Sequence, residues 1–242
     1  MGLISNKISR DELTPGDHIY SWRNALHSYA HHGIYVGDEG DGEVIHFTRP
    51  RTKSEILLGC SGPSKQCLTC ISCRERSRDR STFSGVISSC LDCFLDGGEL
   101  YRYEYNVSRV AFVAKTIGGT CTLAPSDPPE DVLFRAKHLL SSEKGFGDYK
   151  LFKNNCESFA LYCKTGLVVS EKFGKANSVS AASCAVWCAG LVISLAGLPM
   201  VDYAIDYSYG RLESDIARKG REDVKKVPVE DLVAICQCNE QN

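Results

Sequence analysis

The chain has 242 residues, 43% of them hydrophobic and 24% charged, with a formal net charge of −2 at pH 7. That length allows one domain of common size with a full core, plus extensions. The near-neutral balance leaves no general basic field, which argues against nucleic acid as a partner.

The N-terminus shows no apolar signal-peptide core. Thirteen cysteines without an export signal read as reduced thiols rather than a disulfide scaffold, so an intracellular, cytoplasmic location is expected. Gly2 invites comparison with a myristoylation signal, but Asn6 stands where Ser or Thr is wanted.

Two segments, Tyr29–Gly37 and Glu43–Thr48, are rich in β-branched and aromatic residues and bounded by glycine and acidic turn formers. They read as strands joined by a hairpin-like loop over Asp38–Gly42. Adjacent strands can bring His31 and His46 together. Strand alternation sends His31 and His32 to opposite faces, with His32 the one expected to face solvent. His18 and His27 are expected on the surface or in loops.

A cysteine-rich insert follows, over about 58–95. Cys67-x2-Cys70-x2-Cys73 precedes Cys90-x2-Cys93, with sixteen residues between Cys73 and Cys90. This is zinc-ribbon-like spacing, in which each pair forms a tight knuckle. One structural zinc on Cys70, Cys73, Cys90 and Cys93 is the expectation, with Cys67 as an alternate ligand. The spacer Arg74–Arg80 is too charged to supply a core, so something else must fix it. The plainer alternative is a loop whose thiols are merely reduced or lipidated. No organic cofactor is called for.

Further strands are expected at Glu99–Val107 and Val110–Lys115. A Gly-, Pro- and Ser-containing loop then leads to a helix capped by Asp127, with Val132, Leu133, Ala136, Leu139 and Leu140 at three- and four-residue spacing up to about Ser142. The next helix begins in Asn155-Cys156-Glu157-Ser158-Phe159-Ala160 and stops at Gly166. Cys156 therefore sits in a first helical turn, where unpaired N–H groups and the helix dipole stabilise a thiolate, the nucleophilic form of cysteine. By spacing alone, the same cysteine could be a small core residue.

From Ala176 to Val201 there is no charged residue, and fifteen of the twenty residues in Ala181–Met200 are apolar. A bilayer span needs about 20 predominantly apolar residues, so a membrane-bound helix is expected, with a buried or interfacial helix as its competitor. The charged stretch Asp202–Lys226 follows. Removal of residues 176–242 is expected to release the rest from the membrane and leave the site intact. Cys184, Cys188, Cys236 and Cys238 are candidates for acylation.

The pattern His-x-Gly-Ile-Tyr-x-Gly at 31–37, the strand Val44-Ile45-His46 and the distal Asn-Cys-Glu-x-Phe helix resemble the lecithin:retinol acyltransferase-like domain, in a plant-type form carrying the Asn-Cys motif. That family is of the permuted NlpC-type, papain-like kind. The likeness spans residues 14–167, with Leu13–Ile19 resembling its first strand and 168–242 left as a C-terminal extension. It implies an α+β fold, an antiparallel sheet packed with helices, here carrying the insert and a C-terminal helical extension. It also implies Cys156 as acyl-accepting nucleophile, His31 as base and His46 as the third catalytic member.

The implied activity is a thiol-dependent acyltransferase or phospholipid acyl hydrolase. Its substrate would be a phospholipid or other acyl-lipid at a membrane surface, and an acyl-Cys156 thioester would pass its acyl group to water, an amine or an alcohol. The expected oxyanion donors are the N–H of Cys156 and a neighbour. Two alternatives stand beside this reading. One is a catalytically silent, membrane-associated interaction module that binds a protein partner through the insert or tail. The other is a cysteine peptidase.

Overall fold

The computed structural model describes residues 5–23, 30–37, 42–48, 85–115, 118–142, 145–149, 154–169 and 200–238. Five antiparallel strands form the main sheet: β1 (His18–Trp22), β2 (Ala30–Gly37), β3 (Glu43–Thr48), β4 (Gly85–Cys90) and β5 (Tyr101–Arg102), ordered β4-β3-β2-β1-β5. The helices are α1 (Leu91–Leu95), α2 (Arg109–Ala114), α3 (Pro129–Ser141), α4 (Cys156–Thr165), α5 (Met200–Ser214) and α6 (Val229–Cys238). A two-stranded sheet pairs β6 (Leu167–Val169) with β7 (Val224–Lys226). The architecture is α+β, with helices packed on an antiparallel sheet.

Alternation along the central strands feeds two cores. Ile34, Ile45 and Phe47 pack with Val132, Ala136 and Leu139 of α3, with Phe159, Ala160 and Cys163 of α4, and with Val229 and Leu232 of α6. Tyr35 and Val44 point the other way, joining Ile19, Leu91, Phe94 and Leu95. Both faces of β2 are therefore covered, and Ala30 through Tyr35 are all buried. This corrects the expectation for His32. Alternation does send it away from His31, but toward a second core rather than solvent, and it is fully buried. His18 is likewise buried, in β1 rather than on the surface.

The strand expected at Val110–Lys115 is helix α2. Ser108 caps it, accepting the Ala111 N–H at 3.2 Å, and only Phe112 is buried. A segment with one buried position in six has no sheet face to offer, so the local cap decides. Of the strand expected at Glu99–Val107, only Tyr101–Arg102 joins the ladder; Asn106 adopts a left-handed φ of 54°. α3 starts one residue later than expected, with Pro128 at the cap position and Pro129 in the first turn. Asp127 instead binds Arg135 at 2.6 Å and Lys226 at 3.0 Å.

The C-terminal residues are integral to this fold. Lys226 reaches back to Asp127, the Val227 N–H donates to the Gly166 carbonyl at 2.9 Å, and Tyr162 donates its hydroxyl to the Val227 carbonyl at 3.0 Å. Arg211 of α5 is buried and donates to the Phe112 and Lys115 carbonyls, while Asp215 accepts from the Thr122 hydroxyl at 2.8 Å. Removing residues 176–242 would strip all of these away, so the expectation that such a cut spares the site does not survive the packing. Residues 176–199 of the uncharged run lie outside the described residues, and 200–201 open α5. Among the described residues, no helix is long and apolar enough to cross a membrane.

Candidate active site

His31 on β2 and His46 on β3 meet as the hairpin predicts. Their rings stand nearly perpendicular with centroids 4.8 Å apart, and His31 Nε2 lies 2.8 Å from His46 Nδ1. The other ring nitrogen of His46, Nε2, lies 3.0 Å from the Ser89 hydroxyl on β4. Phe94 of α1 packs against both imidazoles, with centroids at 5.4 and 5.5 Å. Gly33 makes room for this arrangement. A Cβ there would meet Val44 Cγ1 at 2.8 Å, Phe94 Cε2 at 2.9 Å and His46 Cβ at 3.2 Å.

Burial pushes the His31 pKa well below its ordinary value, and the charges of His46, Arg23 and His32 push the same way. His31 is thus a neutral imidazole at neutral pH, the form that can accept a proton. Arg23 is itself buried and donates to the Phe94 and Leu95 carbonyls at the end of α1.

Cys156 opens α4. Asn155 caps the helix, its side-chain oxygen accepting the Ser158 N–H at 3.0 Å, and Gly166 ends it with a left-handed φ of 67°. The thiol is buried. It contacts the Ala30 carbonyl at 3.8 Å, the residue directly before His31, and the Tyr149 hydroxyl donates toward its sulfur at 3.8 Å. The helix start therefore reaches the beginning of β2, one peptide from the paired imidazoles.

Sequence reasoning missed Ser89, Arg23, Phe94 and Tyr149 as parts of this neighbourhood. Ser89 lies across from Val44 on a strand that follows the insert, and no local pattern marks it. Of the cysteines expected on zinc, Cys90 and Cys93 come together at the start of α1, where Cys93 donates its N–H to Cys90 Sγ at 3.4 Å. Cys67, Cys70 and Cys73 lie outside the described residues. Among the described residues, no three ligating side chains are grouped to hold a metal ion.

An antiparallel sheet with two coupled histidines, met by a helix that opens on a cysteine, is an α+β scaffold suited to thiol chemistry. The profile of the lecithin retinol acyltransferase family matches residues 11–169, and the chain belongs to that family. It is 47% identical over 247 aligned residues to "Protein LEAD-SENSITIVE 1" of Arabidopsis thaliana, covering 96% of this chain and 90% of that protein. It is 28% identical over 145 residues to human "Lecithin retinol acyltransferase", covering 60% of this chain and 53% of that protein. No solved structure matches the chain.

Proposed function

We propose that this chain is a thiol-dependent acyltransferase or acyl hydrolase of lipid esters, working through an acyl-Cys156 intermediate on a permuted papain-like core. The observation that carries the reading is the 2.8 Å pairing of His46 with His31, on a strand whose first residue, Ala30, takes the Cys156 thiol contact at 3.8 Å.

A tautomer in which His31 donates from Nε2 to His46, and His46 donates from Nε2 to Ser89, leaves His31 Nδ1 as the proton acceptor. His31 takes the proton of Cys156, and the thiolate attacks the ester carbonyl. The C–O bond then breaks, and the departing alcohol receives that proton from His31. The resulting thioester passes its acyl group to water, an amine or an alcohol. His46 holds the imidazolium while it lasts, in the manner of the third member of a triad. Tyr149 supports the thiolate, and the N–H groups of Cys156 and of a neighbour at the start of α4 are the oxyanion donors. The human relative bears an acyltransferase name, which favours acyl chemistry over peptide cleavage.

Intact mass spectrometry after incubation with a short-chain phospholipid tests the reading. An adduct of one acyl chain, mapped to Cys156 and absent in Cys156→Ser, is expected. An adduct that persists in Cys156→Ser would refute it, as would a wild-type chain that never acylates.

A further inference from the structure

A second pair of histidines lies behind the first. His32 Nδ1 is 2.9 Å from His18 Nε2, and His18 Nδ1 is 2.8 Å from the Tyr105 hydroxyl. Both imidazoles are buried, as are the rings packed on them. Tyr103 stacks on His18 at 4.3 Å and 8°, and Tyr20 stacks on His32 at 5.4 Å and 21°. The Nε2 of His32 has no hydrogen-bond partner among the described residues. A phenylalanine would fill the same space without the cost of an unsatisfied buried nitrogen, about 1–3 kcal/mol. Nothing in the acyl-transfer scheme uses these groups.

Their neighbours give them a role. His32 follows His31 in β2, and the far end of the chain of bonds lies against α4. Leu161 clusters with Tyr20, Ala30 and Tyr103. Lys164 lies over the Tyr105 ring at 5.2 Å and donates to the Gly16 carbonyl at 3.0 Å. Glu157, buried directly after Cys156, is near enough to raise the pKa of both Tyr103 and Tyr105, behind the larger effect of burial in Tyr103 and behind burial and Cys163 in Tyr105. Residues 157, 161 and 164 fall on one stripe of a helix by their four- and three-residue spacing. One face of α4 thus meets the relay, and the residue carrying the nucleophile adjoins that face.

We propose that His32, His18 and Tyr105 form a positioning relay that ties the strand of His31 to the helix of Cys156 and so sets the approach of thiol to base. This rests on the proposed acyl-transfer site. Burial pushes the His18 pKa well below its usual value, and the charges of His32 and Lys164 add to the effect. Burial, with a lesser contribution from Arg23, takes His32 down to about 3. The relay therefore stays uncharged at neutral pH and places no positive charge beside the working pair. It acts on the geometry of His31 and Cys156, not on substrate.

The rate of Cys156 alkylation by iodoacetamide, followed by peptide mass mapping from pH 5 to 9, reads the proposal. Tyr105→Phe removes one oxygen and keeps the ring. It should slow alkylation at pH 7 about tenfold and move the midpoint of the pH profile upward, with its circular dichroism unchanged. His32→Leu should do the same. His32→Asn, whose amide can occupy the place of the ring Nδ1, should recover most of the rate. Folded Tyr105→Phe and His32→Leu variants with wild-type rate and midpoint would overturn the relay while leaving the site reading intact. A wild-type Cys156 no more reactive than Cys163, and indifferent to His31→Ala, would overturn both.

Discussion

Replacing Gly33 with alanine inserts one methyl group where the sheet, α1 and the histidine pair converge. The new Cβ would sit 2.8 Å from Val44 Cγ1 and 2.9 Å from Phe94 Cε2, and 3.2 Å from His46 Cβ. Neither close neighbour is the loose end of a flexible chain. Val44 is fully buried and Phe94 nearly so. Overpacking of this kind costs about 1–3 kcal/mol. At roughly 2–4 °C per kcal/mol for a chain of this size, the melting midpoint should fall by about 2–12 °C.

Relief by movement has a consequence of its own, because Phe94 packs on both imidazoles. Cys156 reactivity should therefore drop in the folded variant at a temperature well below its midpoint. The double variant Gly33→Ala with Val44→Ala removes the 2.8 Å contact and should cost less than the sum of its two single variants. Gly210→Ala on α5 is the control. Nothing stands within 4 Å of its added methyl group, and alanine in a helix should stabilise by about 0.5–1 kcal/mol. A Gly33→Ala chain that melts with the wild type and alkylates at the wild-type rate would refute this account of the packing.

Cys156→Ser and His31→Ala should each lower acyl transfer by on the order of a thousandfold while the far-ultraviolet spectrum stays unchanged; activity near wild type in either variant counts against the assigned pair. Asp127→Asn should cost on the order of 1 kcal/mol at pH 7. Burial raises the Asp127 pKa, but the hydrogen bonds from Lys226 and Arg135 outweigh it and hold the carboxyl below its ordinary value. The stabilisation is therefore complete above the usual carboxylate range and drains away as pH falls through the folded-state value. Urea midpoints of wild type and Asp127→Asn should separate at pH 7 and converge in acid; a gap that widens in acid contradicts the clasp. Cutting the chain after residue 199 removes Val229 and Leu232 from the core, and truncating even one buried leucine costs about 2–5 kcal/mol. The shortened chain should show no cooperative melt by circular dichroism, and a sharp transition near the full-length midpoint would contradict that.

Local chemistry made the catalytic candidates legible. The Asn155 cap and the Gly166 stop are written in adjacent residues, and so is the hairpin that brings His31 to His46. What lay beyond reach depended on residues distant in sequence. His32 was misplaced because alternation tells only that two side chains diverge; that both faces of β2 are roofed follows from α1 and from α3, α4 and α6, contributed by residues 91–95, 129–165 and 229–238. Val110–Lys115 carries a strand-like composition, but a serine cap and a single buried ring make it helical. Ser89 could not be singled out, because its value lies in a strand pairing across the cysteine-rich insert.

The core that roofs Ile34 draws on Val229, and 195 positions of chain separate the two. Contacts of such long sequence separation slow folding, because the entropy of closing the loop is lost before any contact rewards it. During synthesis the apolar face of the sheet and the inward side of α4 would be made long before the residues of α6 that cover them. A nascent chain at that stage presents Phe47, Phe159 and their neighbours to the cell, the kind of surface that invites aggregation and chaperone capture. Substitutions in the α6 cover should therefore show first as lower yield of native protein in the cell, before any change in the chemistry of the finished site.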